Sequence, residues 1–373
     1  MPATVLCCVE CLLEVHNSFL LLLYFDMNTP CSLLCIGDDS LGSTSRHRME
    51  ALRRLGNNVA IFNPRSLLRL SSSWRSAIGY LSGYCLLQSE LIYVLQTNPM
   101  LNQARPDLVY VIGGELLGPQ AVLWLKQRFS VPILLFNNDD PTGPRDWKRF
   151  ISLRAALPFY DFCVCVREQN LLEWIAFGAQ RVFRVLTSYD EVVHAPPKPV
   201  DDADTSESDS ILFIGTLIPG EHRDTFLLKL KQSGLPIHLM GNRWQRSPHW
   251  SELRMCHMGN GILNTAYASA LAKASICLGF LSHGNRDLLT RRSVEVPFAG
   301  SLLCAERTSE HQLLYEEGYE AIFWDTVEEC GLLCCDLLTH PMKREVMRQA
   351  GSSRVRELGV GNEDISRSIL NSI

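Results

Sequence analysis

The stretch APPKPVDDADTSESDSILFIGT, residues 195–216, decides the architecture of this chain. Residues 195–210 contain three prolines, four aspartates, one glutamate and three serines and almost nothing apolar. Such a composition cannot bury a core and reads as a linker between two domains. Ile211 to Gly215 then forms a short apolar strand, and from it a pattern of strands alternating with amphipathic helices begins afresh. The units are a helix Arg223 to Lys231, a strand Ile237 to Met240, a helix Thr265 to Lys273, and strands Ser275 to Phe280 and Ser301 to Ala305. Val327 to Leu370 is helical in tendency, with Pro341 opening a new helix and Gly351 and Gly359 marking breaks.

Upstream of the linker the same alternation runs from Met27. Ser32 to Gly37 reads as a strand, and Ser43 to Leu55 as a helix with Met49, Leu52 and Leu55 on one face and Gly56 as its terminating glycine. Asn58 to Asn63 returns to the sheet, Ser73 to Leu95 is a long apolar-rich helix, and Leu108 to Ile112 is aliphatic enough to be buried on both faces. A helix Pro119 to Arg128 and strands Pro132 to Phe136, Phe162 to Val166 and Arg181 to Leu186 follow. Alternation of this kind predicts an α/β protein of two Rossmann-like βαβ domains with mainly parallel sheets. The expected divisions are residues 27–194, the linker 195–210, a second domain 211–351 and a helical tail 352–373. At 373 residues the chain exceeds a single core, in keeping with two domains.

Composition removes several function classes. A formal net charge of -5 leaves no broad basic surface for a polyphosphate backbone, so no nucleic-acid partner is expected. Fourteen cysteines invite a disulfide framework, yet Cys31, Cys35, Cys163, Cys165, Cys277 and Cys304 fall inside apolar strand-like runs, where a thiol acts as a small hydrophobe. The CxxC of Cys8 and Cys11 has no second pair or His cluster at ligand spacing, so no metal and no cofactor are expected. The apolar run Leu20 to Tyr24 is interrupted too soon by Glu10, Glu14, His16, Asn17 and Asp26 to span a membrane, and no Lys or Arg precedes Arg46 as a secretory signal requires. A cytoplasmic protein without a transmembrane segment follows, with peripheral membrane contact left open. Met27 is the expected natural start, which makes residues 1–26 an upstream extension.

The chemistry must come from the site, because paired Rossmann-like domains serve many enzymes. Neither Gly37 to Gly42 nor Gly215 to Leu217 forms the G-x-G-x-x-G of a dinucleotide enzyme, and no phosphate-binding P-loop occurs. The densest polar cluster, residues 283–297, follows an apolar strand and opens into a helix, a place where backbone N–H groups and Arg291 or Arg292 suit a diphosphate. The bland alternative is a solvated, salt-bridged turn. Arg243, in the run MGNRW, is a second phosphate or base contact, or else a surface arginine packed on Trp244. In the first domain Asp139 and Asp140 crowd the end of a strand and Glu115 follows Gly113 and Gly114, so these carboxylates are candidates for the cleft or, alternatively, helix caps. Gly42 and Ser43 lie in the loop after the first strand, with Asp38 nearby. Tyr189 and Asp190 suit a hinge, and His194 and His283 suit packing or capping. The acidic pair Asp202 and Asp204 sits in the linker with no strand before it and reads as solvated charge.

The run GNRDLLTRRSVEVPFAGSLLCAERTSEHQLLYEEG, residues 284–318, resembles the C-terminal signature of spore-maturation CgeB-like glycosyltransferases, a branch of the family-4-like retaining GT-B enzymes. The resemblance extends in order through EALRRLGNNV, RPDLVYVIGGELL, FNNDDP, FGAQRVFRVLTSYDEVVH, ILFIGT and MGNRW, from Met27 to about Gly351. It implies a GT-B fold, two Rossmann-like domains facing across a cleft, with a nucleotide-sugar donor in the second domain and a glycan or small-molecule acceptor on the first. It places Glu295 on the ribose hydroxyls and Asp287, where related enzymes carry glutamate, near the donor sugar. Asn285, Thr290, Arg291, Arg292, Gly215 and Arg243 fall to the donor side by the same reading. Gly42, Ser43, Glu115, Asp139 and Asp140 fall to the acceptor side, and Asp287, Glu295 and Asp140 are the catalytic candidates. Other readings of the same chain are a non-catalytic nucleotide-sugar or glycan-binding protein and a nucleotide-sugar epimerase.

Overall fold

The computed structural model describes residues 30–70, 73–197 and 209–373. The expected extension 1–26, the pair Asp202 and Asp204, Cys8 and Cys11, and most of the linker lie outside the described residues. Strands β1 (Ser32–Ile36), β2 (Asn58–Phe62), β3 (Leu108–Ile112), β4 (Ile133–Asn137), β5 (Phe162–Cys165) and β6 (Val182–Arg184) form one parallel sheet in the order β2-β1-β3-β4-β5-β6. Strands β7 (Ile211–Ile214), β8 (Ile237–Met240), β9 (His257–Gly259), β10 (Ile276–Gly279), β11 (Leu302–Glu306) and β12 (Ile322–Trp324) form a second, in the order β12-β11-β10-β7-β8-β9.

Helices cover both faces of each sheet, which is why the strands are apolar throughout rather than alternating. In β1, Leu34 and Ile36 face a core shared with Leu91, Leu95 and Leu125, whereas Leu33 and Cys35 face one shared with Met49 and Leu52. In β7, Ile211 and Phe213 pack with Leu227 and Cys330, and Leu212 and Ile214 with Tyr267, Val294 and Val355. The side-chain period of two thus sorts each strand between two cores.

The chain passes between the domains twice. The first passage is the linker, and the second is the return at Gly361, whose backbone bridges to Tyr189. The final helix, Asn362–Asn371, lies on the first sheet, where Ile365, Ile369 and Leu370 join the core of Leu33, Cys35 and Tyr110. Asp190, which is fully buried, ties this junction together by accepting from Arg54 Nη2 (3.0 Å), from the backbone N–H groups of Val192 and Val193, and from Asn362 Nδ2 (3.3 Å). Tyr189 stacks on Phe298 of the second domain with ring centroids 3.8 Å apart.

Local expectations fail in three places. The helix expected over Ser73 to Leu95 is two helices, Ser73–Leu81 and Gln88–Thr97, separated by a turn in which Tyr84 adopts φ 62°. Two glycines account for it, since Gly79 and Gly83 weaken the helix and a Cβ on Gly79 would meet the Tyr84 ring at 2.9 Å. Gly351 breaks nothing, for the helix Pro341–Glu357 runs through it. It is glycine because a Cβ would sit 2.3 Å from the Glu320 carbonyl oxygen. Strands β9 and β12 were not expected, and at three residues each they carry too little pattern to read. No helix among the described residues is long and apolar enough to cross a membrane.

Candidate functional site

Each sheet reverses its strand order once, between β1 and β3 in the first and between β7 and β10 in the second. The loops at the carboxyl ends of such neighbouring strands diverge to opposite faces and leave a crevice. A crevice opens at each place. The first-domain cavity, about 420 Å³, is lined by Asp38, Gly42 and Ser43 after β1, Gly113, Gly114 and Glu115 after β3, Asn138 and Asp139 after β4, and the side chains of Arg65, Arg149 and Arg291. The second-domain cavity, about 240 Å³, is lined by Gly215 and Thr216 after β7, Gly241 and Asn242 after β8, and by Asn264, Tyr267, Arg291, Arg292 and Glu295, with His47 and His194 closing it. Gly42 and Arg291 line both, so the two cavities form one continuous cleft.

Glu295 is the buried anion of the second cavity, 3% exposed, on the short helix Arg292–Phe298. Pro297 lies inside that helix and denies Ser293 its backbone partner, and Tyr315 donates its hydroxyl to the Ser293 carbonyl at 2.7 Å in compensation. His311 holds the same turn. Its Nδ1 lies 2.7 Å from the Glu306 carbonyl and must donate there, so Nε2 accepts the Ser293 hydroxyl, also at 2.7 Å. Tyr267 donates to Glu295 Oε2 at 2.8 Å. Oε1 has Arg291 at 3.5 Å and His194 Nε2 at 3.7 Å, beyond hydrogen-bond reach of both. Burial alone would raise the Glu295 carboxyl, but the nearby positive charges, Arg291 first, hold it below the ordinary carboxylate range. It is an ionised acceptor with one oxygen open to a ligand.

Arg292 is fixed by Nε on the Ile214 carbonyl at 2.7 Å, beside Gly215, where a Cβ would lie 2.5 Å from Phe213 Cζ and 3.3 Å from Arg292 Nη2. Gly241 is equally constrained, at φ 143° and with its absent Cβ only 2.0 Å from the Gly215 carbonyl oxygen. His194 accepts the Asp190 backbone N–H at Nδ1 (2.9 Å), so its proton resides on Nε2, directed at Glu295. Burial keeps His194 below its ordinary pKa, and the ring is neutral at pH 7.

In the first cavity Arg149 reaches both Asp139 (3.3 Å) and Glu115 (3.5 Å), and Arg65 reaches Glu115 at 2.7 Å. Burial pushes Glu115 up, but Arg149 and then Arg65 outweigh it and hold its carboxyl below the usual range. Ser43 caps the helix Thr44–Arg54 by accepting from the Arg46 N–H, and its own hydroxyl donates to the Asp38 carbonyl at 2.7 Å. It therefore fixes the loop rather than presenting a free hydroxyl.

Five of the residues expected at the site lie outside both cavities. Asp140, expected to face an acceptor, is 1% exposed and receives Arg286 of the second domain through Nε (2.7 Å) and Nη2 (2.8 Å), with Asn170 donating as well. Asp287, expected near a donor sugar, accepts from Arg167 of the first domain, whose Nε is 2.8 Å away. Both carboxylates are consumed by ion pairs that cross the domain boundary in opposite directions. Asn285 accepts from Arg145 of the first domain, and the Thr290 N–H donates to the Ser293 hydroxyl at 3.2 Å. Arg243 lines a separate cavity with Arg246 and His222, and Trp244 beneath it is fully buried with its indole N–H on the Gly215 carbonyl. His283 is held between Glu221 and Glu306, each 2.8 Å away.

Sequence reasoning missed Tyr267, His47, Arg65, Arg149 and Arg167. None lies in a motif, and each reaches at least one partner 28 or more positions away, His47 doing so through Nε2 to Asn264 Oδ1 at 3.2 Å.

Residues 223–358, which hold Arg292 and Glu295, match a family model described as glycosyl transferase-like. Whole-chain likeness comes from solved structures. HepE from Anabaena in complex with UDP and glucose superposes with a TM-score of 0.60 at 12% identity, covering 92% of this chain and 100% of that one. The fold is GT-B. A second GT-B neighbour, sucrose-phosphate synthase from Thermosynechococcus elongatus, gives a TM-score of 0.60 at 12% identity over 91% of this chain and 97% of its own. An alpha-glucosyltransferase in complex with UDP-glucose and DNA containing an abasic site gives 0.61 at 11%, over 92% and 100%. No curated protein sequence matches the chain. The second GT-B domain thus contains the stretch that resembles glycosyl transferases, and the cleft lies where the two domains meet.

Proposed function

We propose that the chain is a glycosyltransferase that binds a nucleotide-sugar in the second-domain cavity and passes the sugar to an acceptor in the first. One observation carries this reading. Two crevices, each at the switch point of its own sheet, merge through Gly42 and Arg291 beside a buried, ionised Glu295. The glycosyl transferase-like match over residues 223–358 and the UDP and UDP-glucose complexes among proteins of like fold support it.

Glu295 Oε1 accepts from the hydroxyls of the nucleotide's ribose, with Tyr267 steadying the other oxygen. Arg291 and Arg292, with the backbone of Gly215 and Thr216, face the diphosphate. As the bond from the anomeric carbon to the diphosphate oxygen breaks, that oxygen keeps the electron pair and the sugar becomes electron-poor. Cationic donors fixed in place stabilise this separation of charge. The acceptor hydroxyl forms the new bond to the anomeric carbon and passes its proton to the departing diphosphate oxygen. Two arginines supply the charge a metal ion would otherwise bring, so the proposal is metal-independent transfer, with retention at the anomeric carbon. A CgeB-like subtype, a glycan acceptor and a cytoplasmic location belong to the same proposal.

The test is incubation with a panel of UDP-, GDP- and dTDP-sugars, reading released nucleoside diphosphate, with Glu295→Gln as the control. Release that disappears in the variant supports transfer or hydrolysis, and absence of both binding and release by wild type ends the proposal. Binding without release favours a non-catalytic nucleotide-sugar-binding protein. That second reading draws on the ion pairs that occupy Asp140 and Asp287.

A further inference from the structure

The thiols of Cys304, Cys330 and Cys334 converge in the core of the second domain. Cys304 lies on β11, and Cys330 and Cys334 are one turn apart on the helix Val327–Thr339, hence on one strip of its surface. All three are fully buried, and their ligand atoms lie within 4.8 Å of one another. Cys304 Sγ is 3.8 Å from Cys330 Sγ and 3.9 Å from Cys334 Sγ.

The role of small hydrophobe explains Cys35 and Cys277, which are buried singly and whose thiols burial pushes up to about 12. It does not explain why three sulfurs from two elements meet at one point. The centre of a triangle with these sides lies about 2.2–2.5 Å from each sulfur, against a thiolate–zinc bond of about 2.3 Å. The spacing of the sulfurs is therefore close to that of a three-thiolate metal site.

We propose that Cys304, Cys330 and Cys334 form a three-thiolate site for a soft closed-shell cation of the Zn²⁺ or Cu⁺ class, pinning β11 to the helix Val327–Thr339. Binding replaces three S–H bonds by three sulfur–metal bonds and releases the protons to solvent. None of the three residues lines the cleft, so the site is structural and independent of the proposed transfer. Reading ligands from linear spacing could not reveal it, because Cys304 stands 26 positions from its nearer partner.

The test is anaerobic titration of the fully reduced, metal-free chain with Co²⁺ or Cd²⁺, following the sulfur-to-metal charge-transfer band, with Cu⁺ run in parallel. The expected result is one equivalent per chain and a raised melting temperature, both lost in Cys304→Ser and Cys334→Ser and kept in Cys335→Ser, whose thiol is exposed. Should the core variants fail to fold, alkylation of wild type read by mass spectrometry decides the matter, since bound metal must protect these three cysteines together. A band that survives Cys304→Ser, no band at all, protection of other cysteines, or conversion of the cluster to a disulfide on mild oxidation without uptake of metal overturns the proposal.

Discussion

The Arg167 guanidinium of the first domain closes on the Asp287 carboxylate of the second, Nε to Oδ1 at 2.8 Å, with 9% and 8% of the two side chains exposed. A second pair, Arg286 with Asp140, crosses the same boundary the other way. Together they hold the cleft in the form described. Burial raises the Asp287 carboxyl in spite of Arg167, so the charge is tolerated there only while its partner is present.

Arg167→Met leaves that carboxylate buried and alone, a change that costs about 3–5 kcal/mol when a buried pair loses one member. Calorimetric melting should fall clearly in Arg167→Met and recover in Arg167→Met with Asp287→Leu. If Asp287→Asn abolishes turnover while stability is untouched, the latch assignment gives way to a role in the reaction.

Glu295→Gln keeps the shape of the cavity but removes its anion and should weaken nucleotide-sugar binding about 10- to 100-fold, the loss of charge-assisted hydrogen bonds worth about 1.5–3 kcal/mol. Tyr267→Phe removes only the steadying hydroxyl, worth about 1 kcal/mol, and should weaken binding about fivefold. Isothermal calorimetry distinguishes these from unchanged affinity, which would take Glu295 out of the site.

His311 is fully buried, and burial lowers its pKa to about 4, the hydrogen bond to Glu306 only partly opposing this. In the unfolded chain the value is about 6.5. Above pH 6.5 both states are neutral and the group adds no pH dependence. Between 6.5 and about 4 the unfolded chain binds a proton that the folded chain does not, so stability drops as pH falls, by about 3 kcal/mol in all. His194, lowered in the same direction, adds to the loss. Urea unfolding across this window should show the slope in wild type and a shallower one in His311→Gln.

Gly42 adopts φ 79°, and an added Cβ would stand 2.7 Å from Leu263 Cδ1 in the opposing domain. Gly42→Ala should cost about 1–2 kcal/mol from backbone strain and also wedge the cleft. Small-angle scattering should report a larger radius for Gly42→Ala, and adding Leu263→Ala should restore the compact form while leaving the strain. Identical radii for wild type and Gly42→Ala would mean the loop yields without moving the domains.

The two-domain α/β plan was legible because strands buried on both faces are apolar throughout, as in LVYVI of β3, and because the linker's composition contrasts with everything around it. Arg291, Arg292 and Glu295 were legible as members of the polar cluster 283–297 and Gly215 through the family resemblance, and the four line one cavity. What stayed hidden was the pairing of charges across the cleft. Asp140 and Asp287 look alike in sequence to any strand-end carboxylate, and only the position of Arg286 and Arg167 in space removes them from the cavities. Gly351 misled for a related reason: a glycine needed for close packing inside a helix carries the same letter as one that ends a helix.

The return of the chain at Gly361 bears on how the protein is made. Ile365, Ile369 and Leu370 roof the outer face of the first sheet, yet they follow the entire second domain in sequence. A ribosome therefore delivers the earlier half with the face of Leu33, Tyr110 and their neighbours covered by the helix Thr44–Arg54 but not yet by the last helix, and that part of the surface stays open to aggregation until synthesis reaches it. Maturation of the two halves is coupled, the first-made being the last completed.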